Sequence, residues 1–137
     1  MWAKNFADRL EQWNLLRNRC QQLPVQSALL EINRWWFNAP WIPYYLHWDD
    51  SATWPDPWQL LSDNVFCEVA RGLGILYTIT LLEREDLASA CLILTESGHN
   101  LVSIEQSKYI LNWEPNIIVN TFLEVKIKQQ HQQHQIT

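Results

Sequence analysis

Hydrophobic positions divide the chain into a helical first part and a strand-rich last part. In residues 4–20, apolar side chains recur every three or four positions, as on one face of a helix: Phe6, Leu10, Trp13, Leu16 and Cys20. Pro24 suits the first turn of a second helix over residues 24–37, because proline needs no backbone donor there. The stripe of this second helix contains Val25, Leu29, Ile32 and Trp36.

Residues 38–56 have no hydrophobic period and contain three prolines, at positions 40, 43 and 55. Each proline removes a backbone donor and disfavours helix in the residue before it. The segment is therefore predicted to be an irregular loop. Loops of this length are uncommon in small domains and often carry function.

A third helix is predicted to begin at Asp56, which suits the N-cap position, with Pro57 as the first helical residue. This helix is expected to continue until Gly72 and Gly74, because glycine commonly follows a helix C-terminus. Strands are then predicted over residues 75–82, 88–95, 101–106, 109–111 and 117–127. Residues 129–137 are polar and are predicted to form a flexible tail.

This order of elements predicts an α+β fold in a single domain, residues 1–128. N-terminal helices and a long central helix would pack on an antiparallel β-meander. The length of 137 residues suits one domain with its own core.

Charge argues against a nucleic-acid partner. The net charge is −5, from 10 basic and 15 acidic residues, and the basic residues form no cluster. Residues 38–107 contain two basic and ten acidic residues. This acidic region is either a solvated face or a surface for a basic partner.

Three cysteines, Cys20, Cys67 and Cys91, form no metal-type or redox-type spacing and are predicted to be reduced, buried thiols. We therefore expect no metal and no cofactor. No run of apolar residues approaches the length of a membrane span, so no membrane association is predicted. His47 beside Asp49 and Asp50 is a weak metal signal, and turn or capping roles for both aspartates are favoured.

Tryptophan is concentrated in one region, with six of the nine between residues 35 and 58. Trp35, Trp36 and Trp58 are expected to pack within the domain. The candidates for partner binding are Trp41, Tyr44, Tyr45, Trp48, Asp49, Asp50 and Trp54, because tryptophan and tyrosine dominate many interfaces. Two other interpretations remain open: a sugar-stacking platform, and a loop that packs only on its own domain.

A helix followed by three linked strands resembles the core of the transglutaminase-like fold, in the papain-like class of cysteine enzymes. Leu73-Gly74-Ile75 matches the turn into the first strand of that family, and residues 92–94 and 101–105 match its second and third strands. The resemblance implies a nucleophilic cysteine at the helix N-terminus, a histidine opening the second strand and an aspartate ending the third.

Counting from Gly74, the nucleophile position falls at Trp58-Gln59, the histidine position near Ser89 and the aspartate position near Glu105. Cys67 would lie more than two turns inside the helix, as a packing thiol. The chain is therefore predicted to be a relative without enzymatic activity. The alternative is a cysteine hydrolase or transferase that pairs Cys67 with His99 or His47.

The strings WPDPWQLLSDN, CEVARGLGILYTI and KYILNW resemble small virion proteins of contractile-tailed bacteriophages. The resemblance implies a structural subunit of the tail or baseplate, located in the virion. It also implies that the partners are other virion structural proteins and that there is no small-molecule substrate. A carbohydrate-binding module is the remaining alternative.

Overall fold

Helices come first and a sheet follows. The computed structural model describes residues 2–104, 108–115, 117–119 and 127–132. In these residues the α-helices are α1 (Phe6–Gln22), α2 (Val25–Phe37), α3 (Pro57–Asp63) and α4 (Glu68–Leu82). The strands are β1 (Cys91–Thr95), β2 (Asn100–Ile104), β3 (Tyr109–Glu114), β4 (Ile117–Val119) and β5 (Ile127–Gln132). The predicted α+β class is confirmed.

The strands form one antiparallel sheet in the order β4-β3-β2-β1-β5. Strands β1 to β4 are a meander, as predicted, whereas β5 returns to pair with β1, where His131 lies opposite Leu92. Residues 129–132 therefore belong to a strand, and their assignment to a flexible tail was wrong. The predicted strand over residues 117–127 contains β4 and the first residue of β5. Its residues 120–126, like residues 105–107 and 133–137, lie outside the described part of the chain.

The prediction of a strand at residues 75–82 was wrong, because α4 continues through them to Leu82. Helix α4 packs against β1, β2 and β3 on one side and against α1 and α2 on the other. Eleven of its fifteen residues are buried, including Ile75, Leu76 and Ile79. A helix buried on all sides has no polar face. A short apolar segment of this kind cannot be distinguished from a buried strand by its periodicity.

Gly72 and Gly74 lie inside α4 and do not end it, contrary to prediction. A Cβ atom at Gly72 would lie 2.8 Å from a methyl carbon of Leu92 in the sheet. A Cβ atom at Gly74 would lie 2.5 Å from the ring of Trp36 in α2. These glycines therefore allow the sheet and α2 to approach the helix backbone closely.

The single helix predicted from Asp56 to Gly72 is two helices. Asp56 does cap the first, as predicted: its side chain accepts a hydrogen bond from the Gln59 N–H at 2.8 Å. Helix α3 ends at Asn64, whose φ of 56° is left-handed. Asparagine enters this region more readily than most residues, so it can end a helix as glycine does.

The core is organised around the hydroxyl of Thr78, which is fully buried in α4. Its Oγ1 accepts hydrogen bonds from the indole Nε1 of Trp13 at 2.8 Å and of Trp36 at 2.9 Å. The same hydroxyl lies 2.7 Å from the Gly74 carbonyl oxygen, to which it donates. A hydroxyl has one proton to donate and two lone pairs, so all its capacity is used. One atom thus joins α1, α2 and α4.

The tryptophans expected to pack within the domain differ in exposure. Trp36 is 1% exposed, and Trp35 is half-buried and packs against the core. Trp58 is 48% exposed, although its ring contacts that of Trp13. The prediction is confirmed for Trp35 and Trp36, whereas Trp58 packs within the domain only in part.

We expect Thr78→Val to lower the free energy of unfolding by about 2–5 kcal/mol, because each of two buried indole donors loses its acceptor. Thr78→Ser is the matched control: it keeps the hydroxyl and should lose only about 1 kcal/mol for the missing methyl group. Urea denaturation followed by circular dichroism measures both values. Equal stability of the two variants would contradict the role given to the hydroxyl.

Candidate functional site

The loop of residues 38–56 is irregular, as predicted, apart from one 3-10 turn at Ser51–Thr53. Its first part is bound to the segment between α3 and α4, because the Ile42 N–H donates to the Phe66 carbonyl at 3.0 Å. Farther along, the Tyr45 hydroxyl hydrogen-bonds to the Asp63 carboxylate. At its end, the Tyr77 hydroxyl donates to the Pro55 carbonyl at 2.6 Å. The loop is therefore fixed to the helices along its length.

The seven candidate partner-binding residues differ in exposure. Trp41 is 53% exposed and Tyr44 is 64% exposed. Asp49 and Asp50 are also exposed. The other three, Tyr45, Trp48 and Trp54, are half-buried and pack against the core. The structure thus separates an exposed group from an anchoring group within one loop.

A groove of about 310 Å³ lies between this loop and the start of α4. The loop side is mostly aromatic and apolar, and is formed by Trp41, Pro43, Tyr44, Leu46 and Trp48. The opposite side comes from the start of α4 and the β1–β2 turn: Cys67, Glu68, Val69, Gly98 and Asn100. We call this space the aromatic groove.

Cys67 is the N-cap residue of α4, so its predicted position inside a helix was wrong. The cause is the end of α3 at Asn64, because a new helix then begins at Glu68 with Cys67 as its N-cap. The prediction that the thiol is buried is confirmed, since Cys67 is 3% exposed. Its sulfur accepts a hydrogen bond from the Leu46 N–H at 3.4 Å and lies 3.9 Å from the Leu46 carbonyl oxygen.

The positions assigned from the transglutaminase resemblance were counted from a turn that does not exist, because residues 73–75 lie inside α4. The residue at the start of the helix that precedes the sheet is Cys67, not Trp58 or Gln59, which lie in α3. The residue immediately before β2 is His99, and β3 contains Asn112. The chain therefore has a cysteine at the helix start and a histidine before β2, whereas Asn112 lies within β3 and not at its end.

Glu68 connects the first turn of α4 to the start of β2. Its Oε1 accepts hydrogen bonds from the backbone N–H of Asn100 at 2.6 Å and from Asn100 Nδ2 at 3.2 Å. Its Oε2 lies 3.8 Å from His99 Nδ1. The His99 ring also contacts Trp113, with centroids 5.2 Å apart. In the described residues, no hydrogen bond joins His99 to Cys67.

Asn112 is a buried hydrogen-bonding hub that contacts two groove residues, Glu68 and Asn100, and has a left-handed φ of 68°. Its Nδ2 donates to the carbonyls of Glu68 at 3.0 Å and Asn100 at 2.7 Å. Its Oδ1 accepts from Arg71 Nε at 2.6 Å, and its N–H donates to Asn33 Oδ1 at 2.9 Å. Asn112 therefore fixes the helix start, the sheet and α2 relative to one another.

Arg71 contacts the aromatic wall of the groove through the ring of Trp41. Its guanidinium carbon lies 3.7 Å from the ring centroid of Phe37 and 4.9 Å from that of Trp41. Burial lowers the pKa of Arg71 to about 10, while the charge of Glu68 acts in the opposite direction. The side chain is still a cation at neutral pH, so its attraction to the ring faces persists.

Within the described ranges, no three histidine, cysteine, aspartate or glutamate side chains are grouped as metal ligands. The His47 ring stacks on Trp48 instead, at 5.3 Å between centroids. Asp50 precedes the 3-10 turn, but its side chain makes no capping hydrogen bond.

No helix in the part of the chain that the structure describes is long and apolar enough to span a membrane. Comparisons of the chain with models of protein families, with curated proteins and with solved structures found no match. The resemblances to the transglutaminase-like fold and to phage virion proteins therefore remain predictions.

We expect Asn112→Gly to lower the free energy of unfolding by about 2–4 kcal/mol, because two buried carbonyls and Arg71 lose their partner. Glycine accepts the positive φ, so backbone strain does not contribute. The control is Asn64→Gly, at the C-cap of α3, the other described asparagine with a left-handed φ, whose side chain accepts one hydrogen bond, from Trp2 Nε1. Its loss should stay within about 1 kcal/mol. Similar chemical denaturation curves for the two variants would contradict the hub role.

Proposed function

We propose that this protein is a non-catalytic structural subunit of a tailed-phage virion, in the tail or baseplate. It binds a neighbouring virion protein through the aromatic groove and through its exposed rim, which is formed by Trp41 and Tyr44. The observation that carries the binding role is the exposure of Trp41 and Tyr44, at 53% and 64%, on a loop that is otherwise tied to the core.

The loop is suited to binding because its shape is already set before a partner arrives. The hydrogen bonds from Ile42 to Phe66 and from Tyr45 to Asp63, at and just after the end of α3, fix its course. Ordering a flexible loop would reduce affinity, and a pre-ordered loop avoids that entropy loss. Exposed tryptophan and tyrosine on such a wall have the composition of interface hot spots.

The contacts of Cys67 and His99 support a non-catalytic role. A nucleophilic thiol needs a base within hydrogen-bond reach. Here the sulfur of Cys67 bonds to the backbone of Leu46, and the imidazole of His99 faces Glu68 and Trp113. Asn112 on β3 hydrogen-bonds to Arg71 and to two backbone carbonyls, and not to His99, in the described part of the chain.

The assignment to a virion rests on the sequence alone, on the strings that resemble small proteins of contractile-tailed phages. The partners proposed are other structural proteins of the same particle. Neither a small-molecule substrate nor a nucleic acid is part of the proposal.

The proposal is tested by changing the rim in the phage genome and measuring the composition of purified particles by mass spectrometry. The double variant Trp41→Ala, Tyr44→Ala should fold, by circular dichroism, and be lost from the particle. Leu15→Ala is the control, because Leu15 is 51% exposed on α1, away from the groove. Normal incorporation of a folded double variant would refute binding through this rim.

A cysteine hydrolase or transferase is the second candidate, favoured by the position of Cys67 at the N-cap of α4. Free N–H groups and the helix dipole at a helix start stabilise a thiolate. His99 lies directly before β2, at the same end of the molecule. Catalysis would require Leu46 to move away from the sulfur and the imidazole to turn toward it.

Thiol alkylation distinguishes the two functions, and the other cysteines serve as internal references. Burial raises the pKa of the Cys20 thiol to about 11 and also raises the pKa of Cys91. At pH 8 both are therefore protonated and should react with iodoacetamide only on unfolding. For a structural role we expect Cys67 to behave in the same way. Rapid labelling of native Cys67 that His99→Gln slows would instead establish a thiol–imidazole pair.

A further inference from the structure

The aromatic groove contains one acidic side chain, that of Glu68, opposite a wall of aromatic rings. We propose that the groove binds a lysine or arginine side chain of the partner polypeptide, with Glu68 as its counter-charge. This inference rests on the proposed function, because it names the chemistry of the partner segment that enters the groove.

Glu68 is positioned to receive a cation. Two hydrogen bonds from Asn100 fix its Oε1. Its Oε2 has the His99 ring at 3.8 Å, which is longer than a hydrogen bond. The side chain is 31% exposed. Its carboxylate is thus oriented by one oxygen and open to a partner at the other.

The guanidinium of Arg71, three residues farther along α4, does not neutralise the Glu68 carboxylate by direct contact. No salt bridge joins Glu68 to Arg71 within the described ranges. Arg71 is held instead by Asn112 Oδ1 and by the rings of Phe37 and Trp41. The counter-charge of Glu68 can therefore come from another chain.

The opposite wall suits a cation as well. Trp41, Tyr44 and Trp48 line the groove, and aromatic faces attract ammonium and guanidinium groups. The contact of Arg71 with Trp41 is an example within the protein itself. The long apolar stem of lysine or arginine would lie along Pro43 and Leu46, while its charged end reaches Glu68.

The net acidic charge of residues 38–107 favours a basic segment over an acidic one. Residues 38–107 contain ten acidic residues against Arg71 and Arg84. Arg84 is committed to Asp86 and to the carbonyls of Cys20 and Leu23. Asp49 and Asp50 are exposed on the same loop as the aromatic wall. Such a field attracts a cationic chain and repels an anionic one.

The test uses the isotope-labelled full chain and three capped peptides: acetyl-Gly-Ser-Lys-Ser-Gly-amide, its acetyl-lysine form and its glutamate form. Binding is followed by NMR through the indole N–H signals of Trp41 and Trp48. We expect the lysine peptide to bind about fivefold more tightly than the acetyl-lysine peptide, the ratio for about 1 kcal/mol of cation–π and ionic attraction. Raising the salt concentration should reduce this ratio.

Glu68→Gln supplies the decisive variant, because glutamine keeps an acceptor for Asn100 and removes only the charge. It should bring the lysine peptide to the affinity of the acetyl-lysine peptide. The control Glu85→Gln removes an exposed charge near the far end of α4 and should change neither. Equal binding of lysine and acetyl-lysine peptides by the native protein would overturn the inference, as would an unchanged preference in Glu68→Gln.

The outcomes also separate this inference from the proposed function. If the rim variant is lost from particles but the groove shows no preference for lysine, the assembly role stands and the cationic partner is wrong. If the rim variant enters particles normally, the assembly role fails whatever the peptides do.

Discussion

The hydrogen bonds of one hydroxyl hold the helical layer of this protein together. Trp13 and Trp36 are large, fully buried side chains with one polar atom each, and both direct that atom to Thr78. A buried indole N–H without an acceptor is costly, so α1 and α2 can pack in this way only against this turn of α4. The close approach of Trp36 in turn requires a residue without a side chain at position 74.

The position of α4 determines what the groove contains. Asn112 fixes the start of the helix, because its side chain donates to the Glu68 carbonyl and accepts a hydrogen bond from the Arg71 guanidinium. Because α4 begins at this level, Cys67 and Glu68 face the loop wall and the β1–β2 turn. The same packing that satisfies the core therefore places a thiol, a carboxylate and exposed aromatic rings around one space.

The sequence predicted the elements whose pattern is local. Helices α1 and α2, the Asp56 cap and the irregular loop follow from amphipathic spacing, capping and proline. The errors fall where tertiary packing decides: residues 75–82 have no polar face, and the two glycines of α4 serve close contacts and do not end the helix. Of the site, the exposed Trp41 and Tyr44 were predicted. The roles of Glu68, Arg71 and Asn112 were not predicted, because their partners are distant in sequence. The start of α4 could have been predicted from Asn64, since asparagine readily adopts the left-handed conformation that ends a helix.

The hydroxyl of Thr78 also has a consequence for the order in which the chain can fold during synthesis. Trp13 precedes Thr78 by 65 residues and Trp36 precedes it by 42. While the ribosome has released only the first two helices, both indoles lack their acceptor and the apolar faces lack their cover. The first two helices therefore cannot complete their packing until α4 emerges.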